Sequence, residues 1–163
     1  MKGLDLIRHI LDELLQEDIQ FIVLGTGDKE YEDMFNFFQN KYPEKLTSRI
    51  YFNVKESHLI YAGADLFIMP SMAEPCGISQ LISLRYGTLP VVRETGGLKD
   101  TVIPYNEYTG EGNGFSFKNF NAHELYNNKE KWMGIIEQAM NSKNDWEKSS
   151  MEYIEIYEEL KNQ

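Results

Sequence analysis

The residues best placed to do chemistry lie between Asp65 and Gln80. The apolar run Leu66 to Met69 reads as a buried strand that stops at Pro70. A short loop then delivers one acid, Glu74, ahead of a helix that starts about Gly77 and is expected to bury Ile78, Leu81 and Ile82. The first backbone N–H groups of a helix have no partner inside it, and the helix dipole adds partial positive charge there. A carboxylate suited to sugar hydroxyls therefore stands beside a helix start that attracts phosphate. A nucleotide-sugar needs both features side by side. Taken alone, Glu74 could equally cap the helix that follows it.

Two other residue types in reach of chemistry read as inert. Cys76 has no histidine near it in sequence to activate it, so a small residue at a helix start explains it better than a nucleophile does. As the single cysteine it excludes an internal disulfide and fits a reducing cytoplasm. His9, His58 and His123 lack the spacing of metal ligands and are expected on the surface, with no metal site.

The elements that position these residues follow from hydrophobic periodicity. Leu4, Ile7, Leu11 and Leu14 recur at helical intervals, with Asp5, Arg8 and Asp12 on the other face. Phe21 to Leu24 form a short strand ending in the turn Gly25-Thr26-Gly27-Asp28. Tyr31, Met34, Phe35 and Phe38 mark a helix that has to end before Pro43. Arg49 to Phe52 is expected as a second strand, Ser57 to Ala62 as a short helix, Leu89 to Val92 as a fourth strand and Gly114 to Phe117 as a fifth. Asn121 with Glu124 three residues on opens a long helix through Trp132 and Ile136, and a last helix runs from about Asp145 to Leu160.

Alternating strands and helices imply an α/β fold, a Rossmann-like doubly wound parallel sheet, over a single domain spanning 1–163. Ligands of such sheets sit outside the carboxyl ends of the strands, where strand order reverses. Gly25, Glu74 and Gly96 all fall just beyond strand ends, which places three candidate ligand elements on one edge of one sheet. A doubly wound domain normally opens with a central strand, whereas this chain opens in a helix. The expectation is a truncated start, with self-association through the incomplete sheet as the alternative.

Charge narrows the partners. With 16 Lys and Arg against 26 Asp and Glu, the formal charge is -10, which argues against nucleic acid and anionic membrane surfaces. A phosphate would have to be held by local features against that field. No apolar run approaches the roughly 20 residues of a spanning helix, no signal sequence is visible, and a cytoplasmic location is expected.

Several ordered motifs carry a family resemblance. Ala64-Asp65 through Glu74-Pro75-Cys76-Gly77-Ile78-Ser79-Gln80-Leu81, then Arg85-Tyr86-Gly87-Thr88-Leu89-Pro90-Val91-Val92-Arg93, then Thr95-Gly96-Gly97-Leu98-Lys99-Asp100-Thr101-Val102, resemble bacterial glycogen and starch synthases. Lys2-Gly3-Leu4-Asp5-Leu6 and Leu24-Gly25-Thr26-Gly27-Asp28 resemble two further segments of that family. The resemblance covers nearly the whole chain, to the Trp146…Tyr153…Tyr157 helix. It implies the C-terminal, donor-binding half of a two-domain GT-B glycosyltransferase. Such enzymes move glucose from ADP-glucose to the non-reducing end of an α-1,4-glucan, with retention, releasing ADP and requiring no cofactor or metal.

The resemblance also implies roles. Lys2 matches the lysine that neutralises the donor's distal phosphate, and Glu74 the acid that binds the glucose hydroxyls. The backbone at Cys76, Gly77, Ile78 and Ser79 matches the helix start that holds glucose and phosphate oxygens. Phe52 falls where an aromatic ring stacks on adenine, although a strand-end phenylalanine could also be core. Gly25 and Gly27 match the family's strand-end turn, and Thr95, Gly96 and Gly97 would let the chain approach the ligand closely. The family's arginine shortly before the lysine would fall ahead of Met1, outside this sequence. Ile82 stands where the wider superfamily often has a second acid for the ribose. The acceptor would be met through an absent N-terminal domain, so this chain alone is expected to be inactive. Two other readings remain: a GT-B transferase using a UDP-sugar, and a non-catalytic nucleotide-binding or assembly module.

Overall fold

A computed structural model describes residues 2–106 and 108–118. Helix α1 (Leu4–Leu14) buries Leu6, Ile7, Ile10 and Leu11; of the expected face Ile7 and Leu11 are buried, while Leu4 and Leu14 are half-buried at its edge. Strand β1 (Phe21–Leu24), helix α2 (Lys29–Lys41) and strand β2 (Leu46–Arg49) follow. β1 and β2 pair in parallel from Phe21 with Leu46 to Leu24 with Arg49. Ile7, Leu11, Leu15, Phe35 and Leu46 form the core between them. Asp12 fastens α1 to the end of α2, accepting from Lys41 Nζ at 2.6 Å and from the Tyr42 hydroxyl at 2.9 Å.

The second half contains α3 (Val54–Gly63), β3 (Leu66–Met69), α4 (Ser79–Arg85), β4 (Leu89–Arg93), α5 (Gly96–Thr101) and β5 (Phe115–Phe117). β3, β4 and β5 pair in parallel, in register from Leu66 with Leu89 and from Val91 with Phe115. Met69, Val92, Leu98 and Val102 pack as one buried cluster, Leu84 and Leu89 as another. The parallel α/β architecture is the one expected.

The expected parallel sheet is interrupted. The strands form two hydrogen-bonded sets, β1–β2 and β3–β4–β5. In the doubly wound order 3-2-1-4-5-6 these sets occupy places 3-2 and 4-5-6, and the break falls at the place of strand 1. α1 bridges the two sets: Ile68 of β3 packs on the same cluster as Phe21 and Val23 of β1.

Other boundaries differ for identifiable reasons. β2 lies at Leu46–Arg49 rather than at Arg49 to Phe52, because Leu46 is the residue that reaches the core, at 1% exposure, while Tyr51 and Phe52 face solvent. The chain then turns at Asn53, whose side chain accepts from the Glu56 N–H and starts α3 three residues earlier than expected. α4 starts at Ser79, and its buried residues are Gln80, Ser83 and Leu84; Leu81 and Ile82 are half-buried and Ile78 is exposed. Gly77, with φ 67°, swings Ile78 outward before the helix begins. Helix α5 was not expected at all. The expected helices from Asn121 and from Asp145 lie outside the described residues. Among the described residues no helix is long and apolar enough to cross a membrane.

Candidate functional site

The site is built at the carboxyl ends of β3 and β4. Pro70 closes β3, and the chain just before α1 lies directly against it. Gly3 is left-handed at φ 71°, and any side chain there would overlap the Pro70 carbonyl oxygen. That close approach carries Lys2 across the loop, where its Nζ lies 2.5 Å from Glu74 Oε2. The Ser71 hydroxyl, fully buried, donates to the same oxygen at 3.3 Å.

The pair is asymmetric. The Glu74 side chain keeps 15% of its exposure and that of Lys2 keeps 66%, so the acid is fixed by its surroundings and the cation reaches in from solvent. The hydrogen bond from Lys2 holds the Glu74 carboxyl below its ordinary range against the opposing effect of burial, with the Lys2 charge and Ser71 adding to it. Glu74 is therefore an ionised acceptor at neutral pH, which suits it to hydroxyl donors.

The loop around Glu74 is held from β4 and α5. Arg93 Nη1 donates to the Met72 carbonyl at 2.9 Å. The Gly97 N–H is shared between the carbonyls of Glu74 and Pro75, both at 3.2 Å. A Cβ at Gly96 would overlap the Glu74 carbonyl, and one at Gly97 the Cys76 carbonyl. Glycine was expected at these positions to admit a ligand; part of the space it leaves is taken by the protein's own backbone. Thr95 joins the same contact, its hydroxyl 3.5 Å from the Met72 carbonyl.

Cys76 is free and exposed, Gly77 is half-buried in its left-handed turn, Ile78 is 68% exposed, and Ser79 opens α4. Lys2, Glu74, Cys76, Gly77, Ile78, Ser79, Thr95, Gly96 and Gly97 thus form one continuous cluster.

Gly25, Gly27 and Phe52 form a second group, at the carboxyl ends of β1 and β2. Gly25 has φ 151°, donates its N–H to the Arg49 carbonyl at 3.0 Å, and has open space where a side chain would stand. The Gly27 N–H donates to Glu32 Oε1 at 3.0 Å. Phe52 is 84% exposed. None of the three shares a hydrogen bond or ion pair with the Glu74 cluster. Exposure settles the strand-end question for Phe52: it is not core.

Sequence reasoning missed Gly3, Ser71 and Arg93 as supports of this loop. Only Gly3 left a signal, a glycine directly between a lysine and a helix. His58 is exposed and pairs through Nδ1 with the Tyr86 hydroxyl at 3.0 Å, and His9 is exposed. His123 lies outside the described residues. Among the described residues no three His, Cys, Asp or Glu side chains are grouped to hold a metal.

Comparison with known proteins identifies the family. The family model described as glycosyl transferases group 1 matches residues 1–149. A glycogen synthase of Finegoldia magna is 58% identical, over 98% of this chain and 36% of the relative. One of Clostridioides difficile is 52% identical, over 98% of this chain and 35% of the relative. Among solved structures, the catalytic domain of starch synthase IV from Arabidopsis thaliana, bound to ADP and acarbose, superposes with a TM-score of 0.79 at 31% identity. That match covers 97% of this chain and 36% of the other.

Proposed function

The chain belongs to the group 1 glycosyl transferases, and from that premise we propose that it is the donor-binding domain of a glycogen or starch synthase that uses ADP-glucose. The observation that carries this reading is the contact of Lys2 with Glu74, 2.5 Å apart beside the Cys76–Ser79 turn. An ionised acid and an exposed cation at one strand end offer hydrogen-bond acceptance to a sugar and charge to a phosphate.

In this reading Glu74 orients the donor glucose through its hydroxyls. Lys2, more exposed than Glu74, meets the distal phosphate of ADP-glucose. Charge builds on that phosphate as the glucosyl bond breaks, so the cation stabilises the transition state more than the bound donor. Backbone at Cys76, Gly77, Ile78 and Ser79 faces the glucose and phosphate oxygens, and the exposed ring of Phe52 stacks on adenine. Gly25 and Gly27 line the nucleotide side, and Thr95, Gly96 and Gly97 support the sugar side. No metal or cofactor has a role in these steps.

The transfer of glucose, with retention, to the non-reducing end of an α-1,4-glucan belongs to the whole protein. This chain spans 36% of the length of its relative from Finegoldia magna. We assign the glucan to a second domain facing this one, in the cytoplasm, and expect the chain alone to bind donor without turning it over.

Heat protection and calorimetry with ADP, ADP-glucose and UDP-glucose test the reading. A ligand at a hundredfold its dissociation constant stabilises the folded state by about 2.7 kcal/mol, an easily measured shift. ADP-glucose is expected to protect best, and Glu74→Ala to weaken ADP-glucose while leaving ADP nearly unchanged. Equal ADP-glucose binding by Glu74→Ala would remove that residue from the site. Stronger protection by UDP-glucose would assign the chain to a UDP-sugar transferase.

A further inference from the structure

Gln80 has no exposed surface, and the chemistry proposed above does not use it. Its amide nitrogen donates to the Gly77 carbonyl at 2.8 Å and to the Thr101 hydroxyl oxygen at 3.1 Å, with the Cys76 carbonyl at 3.4 Å. The Thr101 hydroxyl in turn donates to the Gly97 carbonyl at 2.6 Å. One buried side chain therefore joins the turn before α4 to the last residue of α5, whose hydroxyl carries the link back to Gly97 in the first turn of that helix.

The orientation of this amide is determined by its partners. Two of the three are carbonyl oxygens, which only accept, so the nitrogen faces them. Gln80 Oε1 is then left in the interior with no hydrogen-bond partner. An unpaired buried carbonyl opposes folding; a leucine or methionine would fill the same volume without it, but would take the donor away from the Gly77 and Cys76 carbonyls. Packing alone gives no reason for an amide here. Gly77 completes the fit, since a Cβ there would stand 2.6 Å from Gln80 Oε1.

We propose that Gln80 is a positioning residue whose buried amide locks the Cys76–Gly77 turn to the Gly97–Thr101 turn, so that the backbone facing the donor's glucose and phosphate is held as one rigid unit. The inference rests on the donor-binding reading and adds to it a named support that touches no ligand. It implies a selective effect. Loosening the link harms recognition of the sugar-phosphate end and spares the nucleoside end at Phe52, which lies in the loop after β2.

Gln80→Leu keeps the volume and removes the donor; Thr101→Val breaks the same link from α5 without altering α4. In calorimetry on the chain, each variant is expected to weaken ADP-glucose roughly tenfold, AMP less than twofold, and the double variant no more than the single ones, as coupled residues do. Amide hydrogen exchange without ligand is expected to rise together over 76–78 and 97–101 in both variants. Unchanged ADP-glucose affinity, or equal weakening of ADP-glucose and AMP, would overturn the proposal. If Gln80→Leu does not fold, Thr101→Val decides. Should the unmodified chain bind no sugar nucleotide, the donor reading falls, and the exchange result alone upholds or overturns the link.

Discussion

Lys2 Nζ and Glu74 Oε2 stand 2.5 Å apart although 72 positions separate them in the chain. The contact joins the residue just ahead of α1 to the loop after β3. Its existence depends on Gly3, on Pro70, and on the packing of α1 against Ile68.

The pair makes stability depend on pH in a definite direction. Lys2 lowers the Glu74 carboxyl from its ordinary 4.5 in the folded protein. The unfolded chain therefore takes up this proton first as pH falls. The contribution is whole above pH 4.5 and drains away as pH drops through the lowered folded value. Because Lys2 is 66% exposed, solvent screening limits the pair to about 0.2–1 kcal/mol. Urea melts are expected to show Lys2→Ala less stable than the unmodified chain by that amount at pH 7, with the gap closing towards pH 3.

Gly3→Ala tests how Lys2 is placed. An added Cβ would overlap a backbone carbonyl oxygen, and φ 71° is strained for alanine. A loss of about 1–3 kcal/mol is expected, measured by thermal or urea unfolding. Once the segment has shifted, Lys2→Ala should have little further effect, so the two changes combine to less than their sum.

The glycines of the site separate into two kinds. Gly97→Ala sets a Cβ on the Cys76 carbonyl and is expected to destabilise by about 2 kcal/mol or more. Gly27→Ala meets open space and is expected to leave stability within about 0.5 kcal/mol. If Gly27 lines the nucleotide, its variant loses ADP affinity with no change in melting temperature. A melting temperature that falls in Gly27→Ala would contradict the assignment of open space.

Phe52→Ala removes a ring that is 84% exposed. Stability should change by less than about 0.5 kcal/mol. Stacking of a base on an aromatic ring contributes about 1–3 kcal/mol, so ADP affinity should fall about tenfold or more. Calorimetry with ADP distinguishes this from a ring that merely decorates the surface, which would leave affinity unchanged.

The local elements were legible because their signals are short-ranged. The spacing of Leu4, Ile7, Leu11 and Leu14 marked α1, and the apolar runs at Phe21–Leu24 and Leu66–Met69 marked β1 and β3 to the residue. The placing of Glu74 just past a strand end also followed from the chain alone. β2 was misplaced because Tyr51 and Phe52 look more strand-like than Leu46-Thr47-Ser48-Arg49. Only pairing with Phe21, far away in sequence, shows that Leu46 is the buried member.

Residue types and their order were thus enough to determine an α/β chain with an acid at the end of its third strand. Which residues surround that acid was decided by tertiary structure. The two separate sheets, the buried amide of Gln80, the Arg93 hold on Met72 and the meeting of Lys2 with Glu74 all depend on contacts between distant segments. Hydrophobic periodicity records which face of an element is buried, but it carries no information about which other element covers that face.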